Sequence, residues 1–171
     1  MSINENGRPV LDIQPTKADK ALEAAGIAML LLLWAFCFYS YYNTQDIVPV
    51  HFGADGKPDG YGDARTVFLM PVVAVLLFIF MSLAARHPEN FNYTVTITPQ
   101  NAERQYSKML RFMKCIKIGI VMIILLIEFF SFNVAIGKSD RLPQWILFVV
   151  FVLIFTPVLY LVIKPDQQNK A

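Results

Sequence analysis

Apolar residues are concentrated in long blocks along the chain, separated by polar segments. Four blocks of 19 residues are apolar almost throughout, and they cover positions 24–42, 67–85, 118–136 and 145–163. A helix of that length measures about 28 Å, close to the ~30 Å hydrocarbon core of a bilayer. The pattern therefore predicts an all-α membrane protein with four transmembrane helices, forming a single integral membrane domain over residues 1–171.

Composition strengthens this prediction. The 171 residues are 56% hydrophobic and 16% charged, whereas soluble domains carry about 25% charged residues. A soluble core would require four long helices without a polar face, and only the third block contains a charge, Glu128. The first block exceeds the length of a signal-peptide core and ends in Tyr41 and Tyr42, so we interpret it as an uncleaved span.

The distribution of basic residues predicts the orientation. Of the fifteen Lys and Arg residues, eleven lie before the first block, between the second and third, or after the fourth. The positive-inside rule then places both termini, residues 1–20 and the loop 86–117 in the cytoplasm, and the loop 43–66 outside. The net charge of +2 gives no nucleic-acid signal, because these cations lie beside the span ends. Cys37 and Cys115 fall on opposite sides, so neither a disulfide nor a cofactor is predicted.

The cytoplasmic segments contain two predicted elements. Residues 1–15 are expected to form a loose tail, after which Thr16 caps a helix that starts at Lys17, with Asp19 completing a capping box. In FNYTVTITPQN, residues 91–101, apolar and threonine residues alternate, which predicts a short strand or extended segment. Such a segment must pack on the bundle, pair with the tail, or pair across a homodimer.

A long helix is predicted from Gln100 to Ile136, amphipathic before it enters the third span. Basic residues recur along it every three or four positions, on a different face from Tyr106, Leu110 and Met113. One interpretation is that anionic headgroups bind this stripe, and the other is that a soluble partner docks there. The headgroup contacts would involve Arg104, Lys108, Arg111 and Lys114, with Lys117 continuing the stripe.

The outer loop holds the candidate ligand-recognition residues, within VPVHFGADGKPDGYGD at positions 48–63. Ile47–Phe52 should be extended, and the Asp-Gly and Lys-Pro pairs that follow are turn signals. The aspartate spacing resembles a calcium loop, but Lys57 and Thr66 stand where ligands are needed, so no metal is predicted. Two other interpretations of the loop are a compact cap that is hydrogen-bonded to the helix ends, and a sensor of external acidity in which His51 titrates. The recognition surface is assigned to His51, Phe52, Asp55, Pro58, Asp59 and Asp63.

Glu128 lies near the middle of the third span, where a charge is costly, so it must face the bundle interior. It is interpreted either as a proton or ligand site, or as an interhelical hydrogen-bonding group with polar neighbours such as Ser131 and Asn133. No nucleophile triad, phosphate-binding loop or zinc-helix motif occurs in the sequence. The sequence therefore predicts a protein that is not an enzyme.

The stretch PVHFGADGKPDGYGD between two spans resembles a bacterial membrane domain of unknown function, found at the N-terminus of Sdp-type bacteriocin-immunity proteins (the SdpI-like family). The resemblance covers residues 24–85, and FNYTVTITPQNAERQY resembles the segment that follows in longer members. It implies a multi-pass protein of the bacterial cytoplasmic membrane, with protection against a membrane-active toxin known for some relatives, and it brings no catalytic residues. The residues that match are Pro49, His51, Phe52, Gly56, Pro58 and Asp59.

Three functions are therefore considered. The first is non-catalytic recognition or protection at the outer face, with a peptide toxin or a lipid as the ligand. The second is a small proton-coupled transporter in which Glu128 titrates. The third is a membrane enzyme acting on a lipid, with His51 and the loop aspartates as acid, base or metal ligands.

Overall fold

The computed structural model of the chain describes residues 2–163, and for 157 and 160–163 the backbone alone; Lys164 and Lys170, used in the charge count, lie outside the described residues. An antiparallel pair of strands, β1 (Ile47–Phe52) and β2 (Pro58–Asp63), connects the first two helices. The sheet means that the all-α prediction is wrong for the outer loop. The helices agree with the predicted blocks and are α1 (Lys17–Tyr42), α2 (Leu69–Ala84), α3 (Ala102–Ala135) and α4 (Trp145–Ile163).

Helix length and composition identify a multi-pass membrane protein. Three helical stretches, Lys17–Tyr42, Ala64–Ala84 and Ala102–Ala135, are long and apolar enough to cross a bilayer. A shorter apolar stretch, Trp145–Thr156, begins α4. Large apolar side chains cover the outward faces, and lipid is the solvent that accommodates such a surface. The structure thus supports three to four spans, while the orientation of the bundle stays a prediction.

Helix α3 is the central element, because it packs against α1, α2 and α4. The apolar core lies between α1, α2 and α3 and consists of Leu33, Cys37, Ala74, Phe78 and Val121. The bundle has two polar ends. We call the end that carries the β-hairpin the hairpin end, and the end that carries residues 2–16 the tail end.

The start of α1 confirms the capping box. The side chain of Thr16 accepts a hydrogen bond from the backbone N–H of Asp19, and the Asp19 carboxylate accepts one from the backbone N–H of Thr16 at 3.0 Å. The predicted loose tail is wrong, however. Arg8 donates to the carbonyls of Glu89 and Phe91 at 2.9 and 2.6 Å, and the buried Tyr106 hydroxyl donates to the carbonyl of Pro9 at 2.9 Å. The tail is therefore fixed by groups that are distant in sequence.

The alternating segment 91–101 forms no strand in the described structure. The side chain of Asn101 explains part of this difference. It donates to the carbonyl of Thr96 and accepts from the N–H of Thr98, two backbone groups that a strand would use to pair with its neighbour. The apolar residues of the segment still become buried. They pack on the tail and on the start of α3, in a cluster of Ile97, Ala102, Tyr106, Leu11, Ile13, Tyr93 and Val95.

Removing the hydroxyl of Tyr106 is expected to loosen the tail. Tyr106→Phe leaves the buried carbonyl of Pro9 without its donor, which costs about 1–3 kcal/mol. Chymotrypsin should then cleave after Leu11 faster than in the wild type, as measured by limited proteolysis of the protein in detergent. Tyr93→Phe is the matched control, because the Tyr93 hydroxyl donates to Pro88 within its own segment. Equal cleavage rates in the two variants would contradict this account.

Candidate functional site

The β-hairpin lies across the hairpin end of the bundle. Its strands pair with Val48 opposite Gly62 and His51 opposite Gly60, with register shifts on both sides of His51. The turn closes where the N–H of Gly53 donates to the carbonyl of Lys57 at 2.8 Å. The Asp55-Gly56 turn signal and the extended Ile47–Phe52 are confirmed, whereas the later Gly and Pro residues belong to β2.

Gly56 ties the hairpin to the connection between α3 and α4. The N–H of Leu142 donates to the carbonyl of Gly56 at 2.8 Å. Gly56 has φ +79°, and a Cβ at this position would lie 2.6 Å from the carbonyl oxygen of Leu142. Only glycine allows both the turn conformation and this close approach. The hairpin is consequently held at both ends. Its base continues into α1 and α2, and its tip is bonded to the connection between α3 and α4.

Two of the loop aspartates stabilise the local backbone. Asp55 accepts a hydrogen bond from the N–H of Lys57 at 3.0 Å, which fixes the turn. Asp63 caps the short 3-10 helix Ala64–Phe68 and forms an ion pair with Arg65 at 2.7 Å. The hydrogen bonds from Arg65 lower the pKa of Asp63 to about 2. Both residues thus have structural roles whether or not they also bind a ligand.

His51 and Asp59 form an exposed pair. Nδ1 of His51 contacts Oδ1 of Asp59, and the two side chains are 73% and 53% exposed. Neither belongs to the wall of the cavity beneath the hairpin. Within residues 2–163, no three His, Cys, Asp or Glu side chains lie together as a set of metal ligands.

Beneath the hairpin is a cavity of about 220 Å³, which we call the hairpin cavity. Phe52, which faces Pro58 in the register, is the predicted recognition residue that lines it. Most of the wall is apolar, including Val48, Val67 and Met70. Five polar side chains interrupt this wall: Ser40, Thr44, Thr66, Glu128 and Ser131.

Glu128 is the most unusual group in this wall. Its residue is only 9% exposed, and its side chain lines the hairpin cavity. Among the residues that the structure describes, none donates a hydrogen bond to its carboxyl group, so the interhelical hydrogen-bond interpretation finds no partner there. Asn133 donates instead to the carbonyl of Phe129 at 3.0 Å. The two intramembrane polar residues therefore act separately.

At the tail end the structure shows an ion pair between a buried lysine and a partly exposed glutamate, which the sequence interpretation missed. Nζ of Lys117 lies 2.7 Å from Glu23 and 2.8 Å from the hydroxyl of Ser82, and it lies 4.1 Å from the centre of the Phe78 ring. Arg111 pairs with Asp19 at 3.0 Å. The predicted lipid-facing stripe is thus partly directed inward. Asp19 and Glu23, four residues apart on α1, were the available signal, because that spacing places both acids on one face.

Comparison with known proteins gives a family match for part of the chain. Residues 28–75 match the family described as a domain of unknown function, DUF1648. This range runs from α1 through the hairpin into α2 and so includes the roof of the hairpin cavity. The match confirms the predicted resemblance to a domain of unknown function, while a link to immunity proteins stays a prediction.

One relative extends the comparison to archaea. The chain is similar to an uncharacterized protein of Archaeoglobus fulgidus, with 32% identity over 85 residues. The alignment covers 45% of this chain and 46% of that protein, so it spans less than half of the relative's length. No solved structure matches the chain.

Proposed function

We propose that the protein is a non-catalytic binding protein that recognises an amphipathic ligand in the hairpin cavity. The observation that carries the proposal is a buried carboxyl group, Glu128, that no described residue pairs with and that lines a mainly apolar cavity. A ligand with an apolar body and a hydrogen-bond donor or cation would satisfy both features of the wall.

The size of the cavity favours a large molecule that inserts one part. Pockets for whole small ligands usually measure about 300–1,000 Å³, and the hairpin cavity holds about 220 Å³. A side chain of a peptide, or one end of a lipid, fits this space better than a complete metabolite. Membrane-active peptides and lipids are therefore the ligand classes that we propose.

The biological role that we propose is protection of a bacterial cytoplasmic membrane, with the hairpin on the outside. The distribution of basic residues supports this orientation, and the resemblance of residues 24–85 to the Sdp-type immunity proteins is the reason for proposing the role. His51 and Asp59 would form the first, exposed contact with the ligand, and Phe52 and Glu128 the deeper contact. Protection by binding requires no turnover.

Growth protection tests this proposal. Cells that overexpress the protein should tolerate higher concentrations of a cationic amphipathic peptide, and Phe52→Ala and Glu128→Gln should each remove most of that gain. A tenfold loss of affinity, about 1.4 kcal/mol, is the expected size of each effect. Asn133→Ala on the same helix is the matched control, because its side chain bonds within α3. If both cavity variants, expressed at the level of the wild type, gave the same tolerance to the peptide as the wild type, the proposal would be disproved.

A proton-coupled transporter is the second candidate. Glu128 favours it, since it is an acid inside a span with access to the hairpin end. The apolar core around Phe78 and Val121 separates Glu128 from the charged tail end in the described structure, which counts against a continuous polar path. Proton uptake by proteoliposomes that is present in the wild type and absent in Glu128→Gln would favour transport over binding.

A further inference from the structure

The tail end contains a second cavity, of about 350 Å³, which we call the tail-end pocket. It lies between α1, α2 and α3, and the tail contributes Ile13 and Pro15 to its wall. Leu110 and Met113 of α3 add to the apolar part. The charged part of the wall contains four cations and two acids: Lys20, Arg86, Lys114, Lys117, Asp19 and Glu23.

The charges in this pocket do not balance. Both acids are engaged, since Asp19 pairs with Arg111 and Glu23 with the buried Lys117. The other three cations have no carboxylate within ion-pair distance among the described residues. These cations are Lys20, Arg86 and Lys114. Lys20 lies on α1, Arg86 lies just after the end of α2, and Lys114 lies on α3. The fold thus collects an uncompensated triple positive charge around one cavity.

The position of these cations indicates the type of anion. Lys20 and Lys114 each precede an apolar block by a few residues, and Arg86 directly follows one. All three therefore lie at one boundary between the hydrocarbon core and water, where lipid headgroups are found. Lys and Arg side chains donate charge-assisted hydrogen bonds to phosphate oxygens.

We propose that the tail-end pocket binds the phosphate group of an anionic phospholipid. Lys20, Arg86 and Lys114 donate to the phosphate oxygens, and the apolar wall around Leu110 and Met113 contacts the glycerol and upper acyl region. This source of phosphate is favoured over a free anion, because apolar side chains form part of the pocket wall and the pocket lies at the depth of the headgroups. The site is independent of the hairpin cavity and of its ligand.

The test is native mass spectrometry of the protein in neutral detergent, titrated with phosphatidylglycerol or phosphatidylcholine. The wild type should retain phosphatidylglycerol selectively, and the triple variant Lys20→Gln/Arg86→Gln/Lys114→Gln should retain it at least tenfold more weakly. The matched control is Lys57→Gln/Lys138→Gln/Arg141→Gln, which removes the same charge at the hairpin end. If the triple variant fails to fold, Lys114→Gln alone should give the same direction of change.

Three outcomes would overturn the proposal. Equal losses in the two triple variants would show that only net charge matters. Equal retention of phosphatidylcholine would show that the phosphate of an anionic lipid is not selected. Displacement of phosphatidylglycerol by inorganic phosphate at the same concentration would assign the pocket to a free anion instead of a lipid.

Discussion

Replacing Glu23 with leucine is expected to lower the free energy of unfolding by up to about 3 kcal/mol, the lower end of the cost of removing one partner of a buried ion pair, because the Glu23 side chain is 33% exposed. The residue Lys117 is 4% exposed, so its ammonium group would lose its carboxylate while remaining inside the protein. The hydroxyl of Ser82 and the ring of Phe78 would remain as neighbours, and neither carries a negative charge. Denaturant unfolding in mixed micelles measures the change.

A double-mutant cycle separates the pair from its surroundings. The variant Glu23→Leu/Lys117→Met removes both charges, and it should recover most of the lost stability because no unpaired charge stays buried. The exposed residue Lys17, on the same end of α1, provides the control, and Lys17→Met should change stability by less than about 0.5 kcal/mol. A double variant whose loss equals the sum of the single losses would show that Glu23 and Lys117 do not interact.

The second large effect is expected at the tip of the hairpin. Gly56→Ala places a Cβ 2.6 Å from the carbonyl oxygen of Leu142 at a residue with φ +79°. The left-handed conformation costs an L-residue about 1–2 kcal/mol, and loss of the bond from the N–H of Leu142 adds about 1 kcal/mol. Hydrogen exchange should show faster exchange of the Leu142 amide and of β1 and β2.

Gly137→Ala is the control for this experiment. Gly137 has φ +73°, but nothing lies within 4 Å of the Cβ that alanine would add. Gly137→Ala should therefore lower the free energy of unfolding only by the cost of the left-handed backbone conformation, and the hairpin should stay in place. Equal hydrogen exchange of Leu142 in both variants would show that the contact between the hairpin tip and the α3–α4 connection does not hold the hairpin in place.

The features that the sequence predicted correctly depend on residues close together in the chain. The capping box needs only Thr16 and Asp19, which are three positions apart. The helices follow from continuous apolar blocks, because hydrocarbon length and the need to satisfy backbone groups leave few alternatives. The extended conformation of Ile47–Phe52 was also predictable, because it depends on residues that are adjacent in the chain.

The features that were missed depend on partners far apart in sequence. β2 contains two glycines, which are poor strand formers in isolation, yet Gly60 fits closely against His51 on the facing strand, where an added Cβ would lie 3.0 Å from that of His51. Lys117 was assigned to headgroups because its partner Glu23 is 94 residues away. The periodicity of α3 places Lys117 on a basic face, but it does not show that this face meets α1 at Glu23.

The candidate site shows the same division. Burial of Glu128 followed from its place in an apolar block, and its side chain does lie inside the bundle. The arrangement of the loop around it could not be predicted, because it depends on how the hairpin lies across three helices. As a result, Phe52 faces the cavity while His51 and Asp59 form an exposed pair.

The contacts of the tail also determine the order in which the protein can assemble. Pro9 is synthesised before the group that bonds it, because that group belongs to Tyr106, 97 positions later. Synthesis proceeds at roughly 5–20 residues per second, so several seconds pass before this partner exists. The tail therefore cannot reach its final place until the first part of α3 has been synthesised.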